Sequence, residues 1–266
     1  MEIGEEVAML MASTKDELCK KAEEAPLKGF ECRIGNKGEL DIPTAERLYQ
    51  SMKTAKALLP SDPPKKGAYW DLDQCTPLAY PLQSHHLIPK MHLPKHDVCV
   101  WLAKKLKNSE WELEKSTNYD TDDARNGMSL PFASNTHQYK NANNADEKDK
   151  ACDKMMFLTK KQLHQGQHTD DSYDDWEEPA LHQKEGKGYL GAVDELLQVV
   201  HAAALEHYEG CDACKKSKTK PVKIRPLERM VEAIHQASSL MGSIITSHKR
   251  FVSKRAAKYY KSSISS

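Results

Sequence analysis

Apolar residues recur at helical spacing along much of the chain, and this periodicity predicts a mainly helical protein. Four segments carry such a stripe: residues 5–24, 41–59, 189–208 and 227–252. Asp41 can cap the second segment, and Pro43 suits its first turn. The fourth segment follows Pro226 and has the most regular spacing, so it predicts one long helix.

The middle of the chain has a different pattern. Pro60 to Lys66 is rich in proline and predicts a linker or an ordered loop. A short extended segment through residues 78–80 leads into two adjacent histidines. Residues 95–107 predict an inserted helix, and the polar, Asn-rich stretch 135–150 predicts an exposed loop. These patterns together predict an α+β fold that is mainly helical, with a small β element in the middle of the chain.

Charge is distributed unevenly, although the net charge of the chain is zero. From Cys211 to the C-terminus there are 13 Lys and Arg against 3 Asp and Glu, a balance of +10, so the preceding residues carry −10. Four basic residues recur on the last predicted helix near two tyrosines: Lys249, Arg250, Lys254 and Arg255. Such a cluster suits contact with a phosphate backbone. A solvated helix face, or a surface for an acidic protein, would have the same composition.

Membrane proteins and secreted disulfide proteins are the classes that the composition argues against. No stretch approaches the roughly 20 consecutive apolar residues of a membrane span. The N-terminal residues are acidic and lack the basic segment of a secretory signal peptide. The 7 cysteines are odd in number and scattered, which favours reduced thiols. We therefore expect no membrane partner and synthesis in the cytoplasm.

The doublet His85-His86 lies at the end of the extended segment. Side chains alternate across a strand, so the two imidazoles should project in opposite directions. One of them can then face a metal while the other faces a substrate. An isolated doublet is more often a pair of surface or half-buried histidines, so it decides nothing by itself.

A second pair, His164 and His168, is spaced four residues apart, which would place both imidazoles on one face of a helix. Gln165 stands where a zinc protease motif needs its catalytic glutamate, so that class of enzyme is excluded. Gly166 argues against a regular helix through the whole segment.

The order of the histidine blocks resembles that of the AHH and GHH branches of the HNH and endonuclease VII superfamily, the ββα-metal nucleases common among bacterial toxins. The matching blocks are Ser84-His85-His86-Leu87-Ile88-Pro89, Asn126-Gly127-Met128-Ser129-Leu130-Pro131, and Leu163-His164-Gln165-Gly166-Gln167-His168 followed by Tyr173. Asn-Gly alone would signal only a turn. Two features depart from the family: Ser84 replaces its Ala or Gly, and the connection from Gly127 to His164 is longer and more polar.

The resemblance covers about residues 80–180. It implies a small ββα-metal nuclease core at 80–180, embedded between a helical region at 1–79 and a helical, basic region at 181–266.

The resemblance also implies a role for each matching residue. His85, His164 and His168 would bind one divalent metal (Zn, Ni, Mg or Mn), and three imidazoles leave the open coordination position that catalysis requires. His86 would be the general base that takes a proton from the attacking water. Asn126 would tie the turn between two strands and so orient His86.

The implied activity is hydrolysis of DNA phosphodiester bonds with little sequence specificity. The family context implies an antibacterial toxin that is delivered into the cytoplasm of a target cell. Its expected partners are DNA, a cognate immunity protein and a component of a secretion machinery. The residues themselves leave two alternatives open: an RNase that uses the same site, and a non-catalytic module that binds metal and nucleic acid.

His207, Cys211 and Cys214 form half of a structural zinc site. No second Cys-x-x-Cys follows, so thiols without metal are the alternative.

Two further pairs of residues lie near the histidine blocks. His92 and His96 are either surface residues or contacts to phosphate. Asp170 and Asp171 either orient a metal ligand or form the acidic first turn of the next helix.

Overall fold

The structure, a computed structural model, describes most of the chain from residue 44 onwards. The described residues are 44–55, 69–90, 92–104, 106, 108–117, 119–164, 188–211, 215–216 and 220–264. The predicted helix at 5–24 and the predicted linker at 60–66 lie outside them.

The described residues form helices and short strands, which confirms the predicted α+β, mainly helical fold. The helices are α1 (Thr44–Thr54), α2 (His137–Lys140), α3 (Ala145–Thr159), α4 (Tyr189–Glu209), α5 (Glu228–Thr246) and α6 (Lys254–Ile264). The strands are β1 (Leu82–His86), β2 (Trp111–Leu113), β3 (Gly127–Pro131) and β4 (Val222–Ile224). None of the helices in the described part of the chain combines the length and apolar composition that crossing a bilayer demands.

The chain divides into two compact units, each assembled from separate segments. The histidine unit comprises Pro43–Leu87, Gly127–Ala192 and Met241–Ser266. The described part of the other, the asparagine unit, comprises Ile88–Asn126 and Val193–Leu240. The domain boundaries implied by the family resemblance stay predictions.

The histidine unit is built around an antiparallel pair of strands. β1 pairs with β3 in a register that sets Leu82 opposite Pro131 and His86 opposite Gly127. α1 lies against this pair through Leu48 and Met52, both buried. A separate apolar cluster joins α3 to α6, and its largest members are Tyr80, Met155, Met156, Leu163 and Phe251. These two packed layers hold the strand pair in place.

The asparagine unit has a core of stacked aromatic rings. β2 and β4 pair in parallel, with Trp111 opposite Val222. The ring centroids of Trp101 and Trp111 are 4.5 Å apart, and Tyr208 packs against both. The indole Nε1 of Trp101 donates to Nδ1 of His201 at 3.1 Å, so this buried donor is satisfied.

Two of the predicted helices are confirmed. The stripe after Pro43 forms α1, whose apolar positions Leu48 and Met52 are buried, and the segment predicted at 189–208 forms α4. Both segments carry their apolar residues on one side, and burial of that side stabilises a helix more than local propensity does.

The predicted helix at residues 95–107 is wrong. The chain instead makes two short 3₁₀ turns, Leu93–Lys95 and Asp97–Trp101. His96 separates them, and its Nδ1 accepts a hydrogen bond from the backbone N–H of Val98. This local bond satisfies the backbone in a way that competes with a continuous helix.

The predicted exposed loop at residues 135–150 is also wrong, because α2 and the first part of α3 occupy it. Asn144 begins α3 as its N-cap, and its Oδ1 accepts from the backbone N–H of Glu147 at 2.9 Å. Asparagine is a preferred helix cap as well as a loop residue, so Asn-rich composition alone does not separate the two.

The long helix predicted for 227–252 is confirmed as α5 only as far as Thr246, and residues 247–253 then connect α5 to α6. His248 in this connection has a positive φ of 56°, which a helix does not contain. The break has a tertiary cause, because the side chain of Gln162 bonds to the backbone of this connection.

Candidate metal centre

β1 carries the histidine doublet at its C-terminal end. Because β1 is a regular strand, His85 and His86 project to opposite faces, and Gln83 shares the face of His85. His85 is buried with 2% of its surface exposed, whereas His86 is half-buried. The two neighbours therefore have different environments, as the alternation predicts.

His164 meets His85 on that face of β1. Their ring centroids are 4.7 Å apart, with planes inclined at 59°. The backbone N–H of His164 donates to the carbonyl of Pro131, the last residue of β3, and its Nδ1 faces Oε1 of Gln83 at 2.8 Å. The strand pair thus brings together two histidines that are far apart in the sequence.

His164 follows α3 and lies outside any helix. The prediction that it shares a helical face with His168 stays untested, because His168 lies outside the described residues. Asp170, Asp171 and Tyr173 also lie outside them.

Tyr189, the first residue of α4, completes the surroundings of His85. Its hydroxyl lies 3.0 Å from Nε2 of His85, 2.6 Å from the carbonyl oxygen of Leu87 and 3.0 Å from that of His86. The side chain is fully buried, and burial raises the pKa of Tyr189 well above its ordinary value. The hydroxyl therefore keeps its proton and can donate to a carbonyl at neutral pH.

These contacts fit a metal-binding role for His85 and His164. Metal-ligating histidines usually form a hydrogen bond through the nitrogen that does not bind the metal, and here Tyr189 and Gln83 provide such bonds. Within the described ranges no group of three or more His, Cys, Asp or Glu side chains is arranged to hold a metal. The predicted third ligand, His168, lies outside those ranges.

Asn126 is described with the asparagine unit, where it is fully buried. Its Oδ1 accepts from the backbone N–H of Ile88 at 2.8 Å and from the hydroxyl of Ser238 at 3.0 Å. Its Nδ2 donates to the carbonyls of Ile88 and Thr121. Asn126 therefore satisfies backbone groups of Ile88 and of Thr121, which lie far apart in the sequence. Its predicted role in orienting His86 stays a prediction.

The predicted basic residues have unequal environments. Lys249 and Lys254 are exposed and Arg250 is half-buried. Arg255 is only 13% exposed and forms ion pairs with Asp149 and Asp153 of α3. Of the four, Arg255 has the contacts of a structural residue, since its charge is already matched by two carboxylates.

Gln162 ties the basic connection between α5 and α6 to the segment that carries His164. Its Nε2 donates to the carbonyls of Ile245 and Arg250, both at 2.7 Å, and its Oε1 accepts from the N–H of Val252 at 2.9 Å. The side chain is 1% exposed. These three bonds satisfy backbone groups that a continuous helix would have paired internally, which explains the break at residues 247–253.

The remaining candidates that the structure describes belong to the asparagine unit. His207 and Cys211 are both buried at the end of α4, and Cys214 lies outside the described residues, so the half zinc site stays a prediction. His92 pairs with Asp194 through Nε2 and Oδ1 at 2.6 Å, whereas His96 bonds to the backbone of its own turn.

The sequence did not lead us to predict that Gln83 and Tyr189 belong to the site. Gln83 carries a local signal, because it stands two positions before His85 on a predicted strand and so shares its face. Tyr189 carries none, because it is separated from His85 by 104 positions and lies in an ordinary amphipathic helix.

Comparisons with protein-family models, with curated proteins and with solved structures find no match to this chain. The three sequence blocks and the geometry around His85 are therefore the observations on which a function can be proposed.

Proposed function

We propose that this chain is a metal-dependent endonuclease of the HNH type. The observation that carries the proposal is the approach of His85 and His164 on one face of an antiparallel strand pair, with ring centroids 4.7 Å apart. Each ring forms a hydrogen bond with a neighbouring side chain, His85 with Tyr189 and His164 with Gln83. A chance pair of surface histidines would have no such fixed surroundings.

The chain's own residues have separate tasks in this proposal. His85, His164 and His168 hold one divalent ion, which when bound polarises the phosphoryl group and stabilises charge on the leaving oxygen. His86, on the opposite face of β1, accepts the proton of the attacking water. Its neighbour across the strand pair is Gly127, and helix α1 approaches the strand pair there through Met52 and Leu48.

The connection between α5 and α6 supports a nucleic-acid substrate. It carries Lys249 and Arg250, and the next helix begins with Lys254. Gln162 bonds this connection to the residues just before His164. The backbone of this connection is therefore bonded to the segment that ends at His164, and its basic side chains are the groups that we propose bind the phosphate backbone without reading bases.

A plasmid-nicking assay tests the activity. We expect purified protein to nick supercoiled DNA when Mg²⁺, Mn²⁺, Zn²⁺ or Ni²⁺ is supplied and to stop when a chelator is added. His86→Ala should lower the rate by about 10²–10⁴-fold, the usual contribution of a general base. His137→Ala is the matched control, because His137 is an exposed histidine of the same unit, and it should cleave like the parent.

The two alternatives give different results in the same assay. Digestion of RNA with intact plasmid identifies an RNase. Salt-dependent DNA binding with no cleavage by any metal-loaded preparation identifies a non-catalytic module, and the proposed endonuclease is then wrong.

We further propose, from the family resemblance, that the nuclease is a toxin delivered into competing bacteria, with an immunity protein as partner. Expression in a bacterial cytoplasm should then stop growth, and His86→Ala should relieve that toxicity. Equal toxicity of the two proteins would contradict this proposal.

A further inference from the structure

The hydroxyl of Tyr189 determines where the proton of a neutral His85 ring lies. The hydroxyl has a single hydrogen, and among the described residues its neighbours include the carbonyl oxygens of His86 and Leu87, at 3.0 and 2.6 Å. Carbonyl oxygens only accept hydrogen bonds, so the hydroxyl proton is donated to one of them. Toward Nε2 of His85 the hydroxyl oxygen must therefore accept, and Nε2 must carry the hydrogen. In the neutral ring, the lone pair then resides on Nδ1.

His164 has the opposite arrangement. Its Nδ1 faces the amide oxygen of Gln83 at 2.8 Å, and an amide oxygen accepts. Nδ1 of His164 therefore carries the hydrogen, and the lone pair of the neutral ring resides on Nε2.

We propose that Tyr189 and Gln83 are positioning residues that hold the two histidines in opposite tautomers, in which Nδ1 of His85 and Nε2 of His164 carry the lone pairs that would bind the proposed metal. The tautomer assignment stands on the hydrogen bonds alone, whereas the metal-binding part rests on the proposed function. Each residue acts through the histidine to which it is hydrogen-bonded.

The first test reads the tautomers directly in the metal-free protein. Long-range ¹H–¹⁵N correlation spectra at mildly alkaline pH, where both imidazoles are neutral, distinguish a ring protonated at Nε2 from one protonated at Nδ1. We expect the Nε2–H form for His85 and the Nδ1–H form for His164. The same tautomer in both rings, or the reverse assignment, overturns the inference whether or not the protein cleaves DNA.

The second test measures metal affinity rather than activity. Titration with Zn²⁺ or Co²⁺ should give a Kd about 10–100-fold weaker for Tyr189→Phe and for Gln83→Leu than for the parent, the usual cost of losing a partner of a ligating histidine. Tyr189→Phe should also mix the His85 tautomers and leave His164 unchanged, and Gln83→Leu should do the converse. Unchanged affinity and unchanged spectra in both variants overturn the positioning role.

Tyr80→Phe is the matched control. Tyr80 is another buried tyrosine of the histidine unit, and its hydroxyl donates to the carbonyl of Ser129 and accepts from Lys161. It should keep both tautomers and the parent Kd. If Tyr189→Phe does not fold, Gln83→Leu and the parent spectra still decide the assignment. If the parent binds no metal, the proposed function fails while the tautomer assignment is still decided by the spectra.

Discussion

Gly127 lacks a side chain at a point where α1 packs closely against the strand pair, and this close packing, not an unusual backbone conformation, is the reason for a glycine. A Cβ at this position would lie 2.6 Å from Sδ and 2.9 Å from Cγ of Met52, and 3.0 Å from Cδ1 of Leu48. Asn-Gly at 126–127 suggests a tight turn, yet Gly127 begins β3. Its role is the close approach of α1 to the strand directly opposite His86.

We predict that Gly127→Ala lowers the free energy of unfolding by about 1–3 kcal/mol, because the methyl group overpacks the contact with Met52. Urea denaturation measures the loss. The penalty should shrink in a Met52→Ala background, where the space is opened, and an equal penalty in both backgrounds would contradict the steric explanation.

Gly242→Ala is the control, and we expect it to raise the free energy of unfolding rather than lower it. A Cβ there would meet its nearest neighbour, Cδ1 of Leu87, at 3.7 Å, which is ordinary contact. Because Gly242 lies within α5, alanine should stabilise the protein by about 0.5–1 kcal/mol.

The side-chain amide of Asn126 forms hydrogen bonds through both its oxygen and its nitrogen. We predict that Asn126→Ala lowers the free energy of unfolding by about 2–4 kcal/mol, because buried backbone groups of Ile88 and Thr121 lose their partner. Denaturation of the variant measures this cost. Asn141→Ala, at an exposed asparagine, should change stability by less than about 0.5 kcal/mol, and similar losses in the two variants would contradict the assigned role.

At the level of secondary-structure elements, the first two residues of α6, Lys254 and Arg255, are both basic but have different environments. Lys254 is exposed, whereas Arg255 reaches the carboxylates of Asp149 and Asp153 on α3. The first residue of α6 is thus exposed to solvent, while the next residue joins two helices.

We predict that Lys254→Ala and Arg255→Ala separate binding from stability. Loss of one phosphate contact in Lys254→Ala should reduce the slope of log Kd for DNA against log salt by about 0.7–0.9, with little change in stability. Arg255→Ala should lower the free energy of unfolding by about 1 kcal/mol and leave the salt slope unchanged. Salt titrations and urea denaturation of both variants check the pattern, and the reverse pattern would place Arg255 on the substrate instead.

At the scale of the whole molecule, burial lowers the pKa of several histidines. The pKa values of four lie below their ordinary value of 6.5, with burial as the largest cause: His96, His201, His235 and His248. His235 is the most enclosed, with 4% of its surface exposed, and neither ring nitrogen has a hydrogen-bond partner among the described residues. Arg125 also lowers the pKa of His235, whereas Asp123 and Glu232 raise it.

We predict that stability falls as the pH drops below about 6.5. The pKa values of these four histidines are lower in the folded protein than in the unfolded chain, so the unfolded chain binds protons at a higher pH. The stabilisation is therefore complete above the unfolded pKa and is lost as the pH falls through the folded pKa. Urea midpoints at about pH 8, 6.5 and 5 measure the trend. His235→Leu should flatten it, whereas His137→Leu, at an exposed site, should not. A midpoint independent of pH over this range would contradict the prediction.

The local patterns of the chain were enough to predict α1, α4 and the alternation of His85 and His86. They failed at Asn144, because asparagine occurs both in loops and at helix N-caps, and its side chain alone does not distinguish the two. They failed again between α5 and α6, because that break depends on bonds from Gln162, which lies more than 80 positions earlier in the chain.

Local sequence patterns were thus sufficient to predict the mainly helical composition and the opposite faces of the doublet, since periodicity and alternation are properties of the backbone over a few residues. The family resemblance led us to expect His85 and His164 at one metal, but the contact between their rings is seen only in the folded chain. The bond from Tyr189, 104 positions from His85, to that ring had no signal in the sequence at all. Such contacts depend on how distant segments pack, and no spacing along the chain encodes them.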